Sequence, residues 1–302
     1  MSSIAAEPVQ FVSDGLTLSG DLRRPTVSGD VPRPALVFTG PFTGVKEQVV
    51  GLYAERLTQE GYVTLAFDHR NFGASEGAPR QHESGAGKLA DLRDATSFLA
   101  SVDGVDSDRL GCVGICLGGG YALRHSAFDP RIKALVTIAG AYNDPRVMRG
   151  HFGDANYRNA LADYAEVAAR QQRTGEVEYM PAVAVEGTAA MGGQEPFDYY
   201  GTERSAAPTW QNRVTVLSLR ELITVDNGSG AEFISPTPWC VIHGRRDDFC
   251  SPDDAAGAFE RAGEPKVFHW LETTNHIDLY DNPAFTEPAA ALAVDWLRSH
   301  LD

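Results

Sequence analysis

Residues 113–123 read VGICLGGGYAL. An apolar run ends at Ile115, a cysteine follows, and three glycines stand behind Leu117. A chain that leaves a buried strand and turns at once into a helix needs small residues on both sides of the bend, because the two backbones nearly touch there. Gly114 and Gly118 meet that need around Cys116, in the order G-x-C-x-G, and Gly119 and Gly120 let the helix press onto the sheet. The serine form of this pattern, G-x-S-x-G, is a strained turn that presents a nucleophile at the carboxyl end of a strand. A helix N-terminus also favours negative charge, so the Cys116 thiol is expected below the ordinary value of about 8.5.

On the N-terminal side of this stretch, VQFVS (9–13) and LTLSGDLR (16–23) predict a hairpin through Asp14-Gly15. ALVFT (35–39) and YVTLAF (62–67) read as buried strands. Residues 46–60 between them carry apolar positions at helical spacing and stop at Gly61. Residues 91–100 predict a helix and LGCVGI (110–115) the strand before Cys116. Further on, ALVTIAG (134–140), WCVIH (239–243) and KVFHWL (266–271) predict strands, with helices over 254–262 and 288–301. Such alternation implies an α/β fold, a mostly parallel sheet flanked by helices. It breaks over 145–235, which is too long for a loop. Residues 1–144 and 236–302 are therefore read as the core and 145–235 as an inserted lid. Tyr142, Tyr157, Tyr164, Phe197, Tyr199, Tyr200 and Trp210 give the lid an aromatic character suited to a large, partly apolar substrate. Residues 212–225 mix strand and helix cues and are left unassigned.

Bulk composition narrows the function. With 302 residues and 43% apolar content the chain can bury a sizeable core. Its net charge of −15, without a basic stripe, argues against a nucleic-acid partner and reads as solubility. No run approaches a membrane span, and MSSIAAEPVQ has neither a basic start nor an apolar signal core, so a cytoplasmic protein is expected. The cysteines are Cys112, Cys116, Cys240 and Cys250. No Cys or His cluster near Cys112 and Cys116 completes a zinc site, so no metal and no cofactor is expected. Cys112 and Cys240 lie in apolar strand-like runs and read as plain buried thiols.

A nucleophile at Cys116 needs a base and an acid. His276, in TTNHIDLYD after the late strand 266–271, has the position for the base. Two places compete for the acid that would orient it: Asp247, with Asp248 beside it, in HGRRDDFCSP, and Asp144 in AGAYNDP. An oxyanion would need main-chain N–H groups. Leu117 supplies one. The other comes from the loop GPFTGVKEQ, where Pro41 has no N–H and Phe42 is the candidate. The remaining histidines read as structural, although His151 could line the pocket. In FDHRNFGASEG (67–77), Asp68 and Arg70 are expected to tie down a turn.

With GPFTGVKEQ, FDHRNFGASEG, GICLGGGYAL, HGRRDDFCSP and TNHIDLYD in this order, the chain resembles the α/β-hydrolase superfamily over nearly its whole length. The cysteine bend is similar to that of dienelactone hydrolases, and the long insertion and NHIDLYD ending resemble bacterial hydrolase-like proteins. Some cysteine members are Dieckmann cyclases with a Cys-Asp-His triad, which release polyketide–peptide thioesters as rings. That resemblance implies roles for Cys116 and His276, and it keeps Asp144 in play because their aspartate follows the nucleophile closely. Cysteine chemistry itself favours acyl transfer from small-molecule or carrier-bound thioesters or activated esters. Thiolate attack on a thioester is nearly thermoneutral, whereas an amide presents a poor leaving group. A hydrolase-shaped binding protein is the reading from another class.

Overall fold

A computed structural model describes residues 4–26 and 31–302; residues 1–3, where the N-terminal reading begins, and 27–30 lie outside the described residues. The predicted hairpin is β1 (Glu7–Ser13) and β2 (Leu16–Arg23), paired antiparallel. Then follow β3 (Arg33–Thr39), α1 (Val49–Gln59), β4 (Val63–Phe67), α2 (Gly85–Ala100), β5 (Val105–Ile115), α3 (Leu117–Phe128) and β6 (Ile132–Ile138). Every residue of β4 is buried, which is what a strand covered on both faces requires. Helix α1 starts three residues later than its apolar spacing implies. The Lys46 N–H donates to Asp68 Oδ1 at 2.8 Å and Gln48 Oε1 accepts from Val45 N, so these groups close a turn instead of a helix. Helix α2 starts earlier than its periodicity shows, at the Ser84 cap, whose hydroxyl accepts from Gly87 N.

Residues 145–235 form α4 (Pro145–Phe152), α5 (Asp154–Thr174), β7 (Tyr179–Met180), β8 (Val183–Ala184), β9 (Met191–Gly192), α6 (Gln194–Tyr200), β10 (Val214–Thr215) and α7 (Leu217–Thr224). Among the described residues these strands pair only with one another, β10 with β7 and β8 with β9. The unassigned stretch 212–225 is both things its cues offered, a two-residue strand running into a helix. The chain then returns through β11 (Trp239–Gly244), α8 (Pro252–Arg261), β12 (Lys266–Leu271), α9 (Asp278–Asp281) and α10 (Pro283–Leu301).

Among the described residues the main sheet has eight strands in the order β1-β2-β4-β3-β5-β6-β11-β12. From β4 to β12 neighbouring strands are parallel, and only the β1–β2 hairpin and its junction with β4 are antiparallel. From β3 the chain steps one way to β4; from β5 it steps the other way. The carboxyl ends of β3 and β5, which are neighbours, therefore flank the crevice where sheets of this kind hold ligands. The core is continuous, with Leu36, Phe38, Val113, Ile115, Leu135 and Ile242 buried together.

Two glycines make the β5–α3 bend possible. A Cβ on Gly114 would lie 2.6 Å from Ala122 Cβ, and one on Gly118 would overlap the Thr39 carbonyl and lie 2.7 Å from the Gly40 oxygen. The loop after β3 thus rests directly on the first turn of α3. Gly118→Ala is expected to destabilise the fold by about 1–3 kcal/mol through overpacking against rigid backbone. Gly150→Ala, in α4, would place a Cβ in open space and is expected to leave stability unchanged or raise it by up to about 1 kcal/mol. Thermal melts of the two variants beside wild type check the contrast.

Candidate active site

Cys116 has φ 56° and ψ −126°, a conformation that non-glycine residues rarely adopt. Backbone hydrogen bonds hold it there. Its N–H donates to the Ile138 carbonyl at 3.1 Å, and its carbonyl accepts from Gly119 N and Ala141 N, each at 2.8 Å. The bend is thus clamped between the start of α3 and the end of β6. Leu117 is the first residue of α3, so its N–H belongs to the group that a helix leaves unpaired. Phe42, buried, follows Gly40-Pro41 in the loop that Gly118 touches. That loop is braced by His69, whose Nε2 lies 2.8 Å from Thr39 Oγ1, and by Asp68, which also accepts from Ala74 N. Arg70 donates to Asp91, fixing the same turn.

His276 arrives on the loop after β12 and is only 3% exposed. Its Nδ1 lies 2.6 Å from Asp247 Oδ2, and its Nε2 lies 2.9 Å from the Tyr280 hydroxyl. Asp247 stands after β11, and its Oδ1 accepts from Phe249 N at 2.9 Å and Cys250 N at 2.7 Å. The Cys250 thiol donates to Cys116 Sγ at 3.6 Å. Both sulfurs and a ring nitrogen of His276 lie within 4.8 Å of one another. The structure thus brings Cys116, His276 and Asp247 together at the carboxyl ends of β5, β12 and β11.

Asp144 does not reach His276. It caps α4, accepting from Arg146 N at 2.7 Å and pairing with the Arg146 guanidinium, which keeps its pKa low. Asp248 is exposed on the loop. His151 sits 3.3 Å from Asp254 and is half exposed. Tyr142 does not belong with the lid aromatics: its hydroxyl bonds Thr137 Oγ1 at 2.7 Å and its ring meets Trp239 edge-on inside the core.

Three contributors escaped the sequence reading. Tyr280 follows His276 by four residues, on the short helix α9 that begins two residues after the histidine, a spacing that H-x3-Y displays. Cys250 follows Asp247 by three residues, and nothing in the sequence separates it from a filler thiol. Glu195 reaches across from α6, where its Oε1 accepts from Ile277 N at 2.7 Å. The Tyr199 and Tyr200 rings close over Tyr280 at 5.0 and 6.4 Å, and Trp210 stacks on Tyr200. On the outer side of Tyr199 and Tyr280 lies a surface cleft of about 1010 Å³, also lined by Gln48, Arg204 and Ser205; Cys116 does not line it.

The electrostatics follow from these contacts. The hydrogen bond from Cys250 holds the Cys116 pKa well below the ordinary thiol range, against the opposing effect of burial, and His276 adds to the lowering. Burial would lower His276, but Cys116 and Asp247 outweigh it and raise its pKa to about 10. Burial likewise raises Asp247 less than His276 lowers it. These contacts favour a thiolate on Cys116 beside a protonated His276 ring. Cys112 and Cys240, pushed up by burial to about 12, stay neutral.

A parallel sheet with a strained cysteine bend, and a histidine and an aspartate on later loops, defines the α/β-hydrolase fold. The chain belongs to the serine aminopeptidase S33 family, which it matches over residues 44–282. It is 34% identical over 275 residues to the uncharacterized protein PA2218 of Pseudomonas aeruginosa, covering 88% of this chain and 73% of the relative. The crystal structure of that hypothetical protein superposes with a TM-score of 0.88 at 30% identity, over 100% of this chain and 95% of the other. Thiohydrolase aneE of Aspergillus aculeatus is 28% identical, over 92% of this chain and 88% of its own. Polyketide transferase grgF of Penicillium sp. is 27% identical over 99% and 98%. The GrgF crystal structure superposes at a TM-score of 0.83 with 25% identity over 99% of each chain.

The thiolate–imidazolium pair predicts that iodoacetamide labels Cys116 at pH 6 nearly as fast as at pH 8, because the thiolate persists across that range. Asp247→Asn removes a group that supports the imidazolium and is expected to move the midpoint of labelling up by about a pH unit or more. Asp144→Asn leaves it in place. Peptide mapping of the alkylated cysteine against pH reads both.

Proposed function

We propose that the chain is an acyl-transfer enzyme that cleaves thioesters or activated esters through a covalent intermediate on Cys116. The observation that carries this reading is a thiol at a left-handed bend beside a His276 whose far nitrogen is 2.6 Å from a buried carboxylate. The names thiohydrolase and polyketide transferase, borne by two relatives aligned over most of this chain, support the same class of chemistry.

In the proposed cycle the Cys116 thiolate attacks the acyl carbonyl. The Leu117 and Phe42 N–H groups receive the negative oxygen, a contribution typically worth about 3–4 kcal/mol for one such donor. His276, held in one tautomer by Asp247, gives its proton to the departing thiol. In the second half it takes a proton from the acceptor that resolves the acyl-enzyme. Water gives hydrolysis, an external alcohol or amine gives transfer, and a carbanion within the acyl chain gives ring closure of the Dieckmann kind. Residues 145–235 act as the lid: α6 carries Tyr199 and Tyr200 onto Tyr280, so displacement of α6 opens the route from the cleft to the sulfur. A partly apolar acyl chain suits these rings.

Intact-protein mass spectrometry with a panel of acyl N-acetylcysteamine thioesters tests the reading. Wild type gains one acyl mass, mapped to Cys116, and releases free thiol. Cys116→Ala gains none and loses about a thousandfold or more in kcat/KM. Full turnover in that variant removes Cys116 from the chemistry. Faster cleavage of the matched amide than of the thioester removes the substrate class.

A further inference from the structure

Cys250 forms no bond to substrate and moves no proton in the proposed acyl-transfer cycle, where it only donates a hydrogen bond to Cys116, yet it is a buried second thiol aimed at the reactive sulfur. Cys116, Cys250 and His276 together present two sulfurs and a nitrogen within 4.8 Å of one another, all from buried side chains. We propose that these three residues form a binding site for a thiophilic divalent cation, zinc foremost, which occupies the sulfur lone pair of Cys116.

The chemistry of the donors supports this. Two thiolates and one imidazole form a three-ligand zinc set that leaves a fourth position open. Two thiolates bound to one tetrahedral zinc at about 2.3 Å stand about 3.8 Å apart, and the sulfurs here are 3.6 Å apart without a metal. With Nδ1 committed to Asp247, Nε2 is the nitrogen left to ligate. The Asp247 carboxylate then serves as the outer partner that orients a metal-bound histidine. Soft sulfur donors select zinc over magnesium or calcium. The Tyr280 hydroxyl lies 2.9 Å from Nε2, and either that oxygen or water completes the shell.

Coordination balances simply. The Cys250 thiol and the His276 imidazolium each lose one proton to solvent, Cys116 is already a thiolate, and no oxidation state changes. Occupancy ties up both the attacking sulfur and the nitrogen that moves the proton. On the reading of Cys116 as nucleophile, zinc is then a reversible inhibitor.

Cobalt titration of the metal-free full-length chain, kept reduced with a phosphine, tests the site without any activity assay. Wild type is expected to bind one Co²⁺ with a thiolate-to-cobalt charge-transfer band and the visible bands of a four-coordinate ion, both erased by Zn²⁺. Cys250→Ser is expected to lose about half the charge-transfer intensity and ~100-fold or more in Zn²⁺ affinity. Cys112→Ser keeps the wild-type values. Zn²⁺ also shields Cys116 of the unmodified protein from iodoacetamide, a readout that needs no variant. Absence of the charge-transfer band, equal Zn²⁺ affinity in Cys250→Ser, or no shielding each overturns the site. A chain that binds cobalt through two thiolates but cleaves no thioester keeps the site and loses the acyl-transfer reading; thioester cleavage indifferent to saturating Zn²⁺ does the reverse.

Discussion

A single strained residue organises this molecule. Cys116 holds positive φ, which costs a side-chain-bearing residue about 1–3 kcal/mol, and three backbone hydrogen bonds offset that cost. Each bond is worth about 0.5–1.5 kcal/mol. The clamp works only because the ends of β3 and β6 come within contact of the first turn of α3, and that approach depends on residues without a side chain. Gly118 lies directly under the Thr39 and Gly40 carbonyls, and Gly120 lies as closely under the Ala141 carbonyl. The strain, the glycines and the aim of the sulfur form one structural solution.

Charge around the bend is arranged in the same economical way. The Asp247 carboxylate, the His276 ring and the Cys116 sulfur lie side by side, and all three are buried. Each is tolerated because the next one compensates it, and removal of one partner of a buried pair typically costs about 3–5 kcal/mol. Asp247 has two tasks: one oxygen holds His276 and the other collects two main-chain N–H groups that shape the turn carrying Cys250. The second thiol is therefore positioned by the carboxylate that positions the base. The aromatic cover over Tyr280 comes from α6, and Glu195 on that helix also holds the backbone of the histidine loop. Helix α6 is thus joined directly to the loop that carries His276.

The strand-and-helix alternation was legible because buried parallel strands are short apolar runs and their connecting helices repeat at helical spacing. Boundaries were less so. Helix α1 yields its first turn to Asp68, which captures the Lys46 N–H from 22 positions away, and no local pattern encodes that. Tyr142 shows the converse error: its aromatic ring grouped it with the lid although it precedes residue 145, and its hydroxyl finds Thr137 within the sheet.

By itself the sequence determined the fold class, the bend at Cys116 and the short list of partners, because glycine spacing and apolar periodicity are local properties of the chain. Only the tertiary structure decided which carboxylate meets His276. Asp144 and Asp247 both follow strands that end on the same side of the sheet, and which one points inward depends on a helix cap and an Arg146 pair in one case and on a turn closing on Cys250 in the other. It alone also set Cys250 and Tyr280 against the sulfur. Distances between residues 134 and 164 positions apart are fixed by strand order, and no stretch of sequence carries that order.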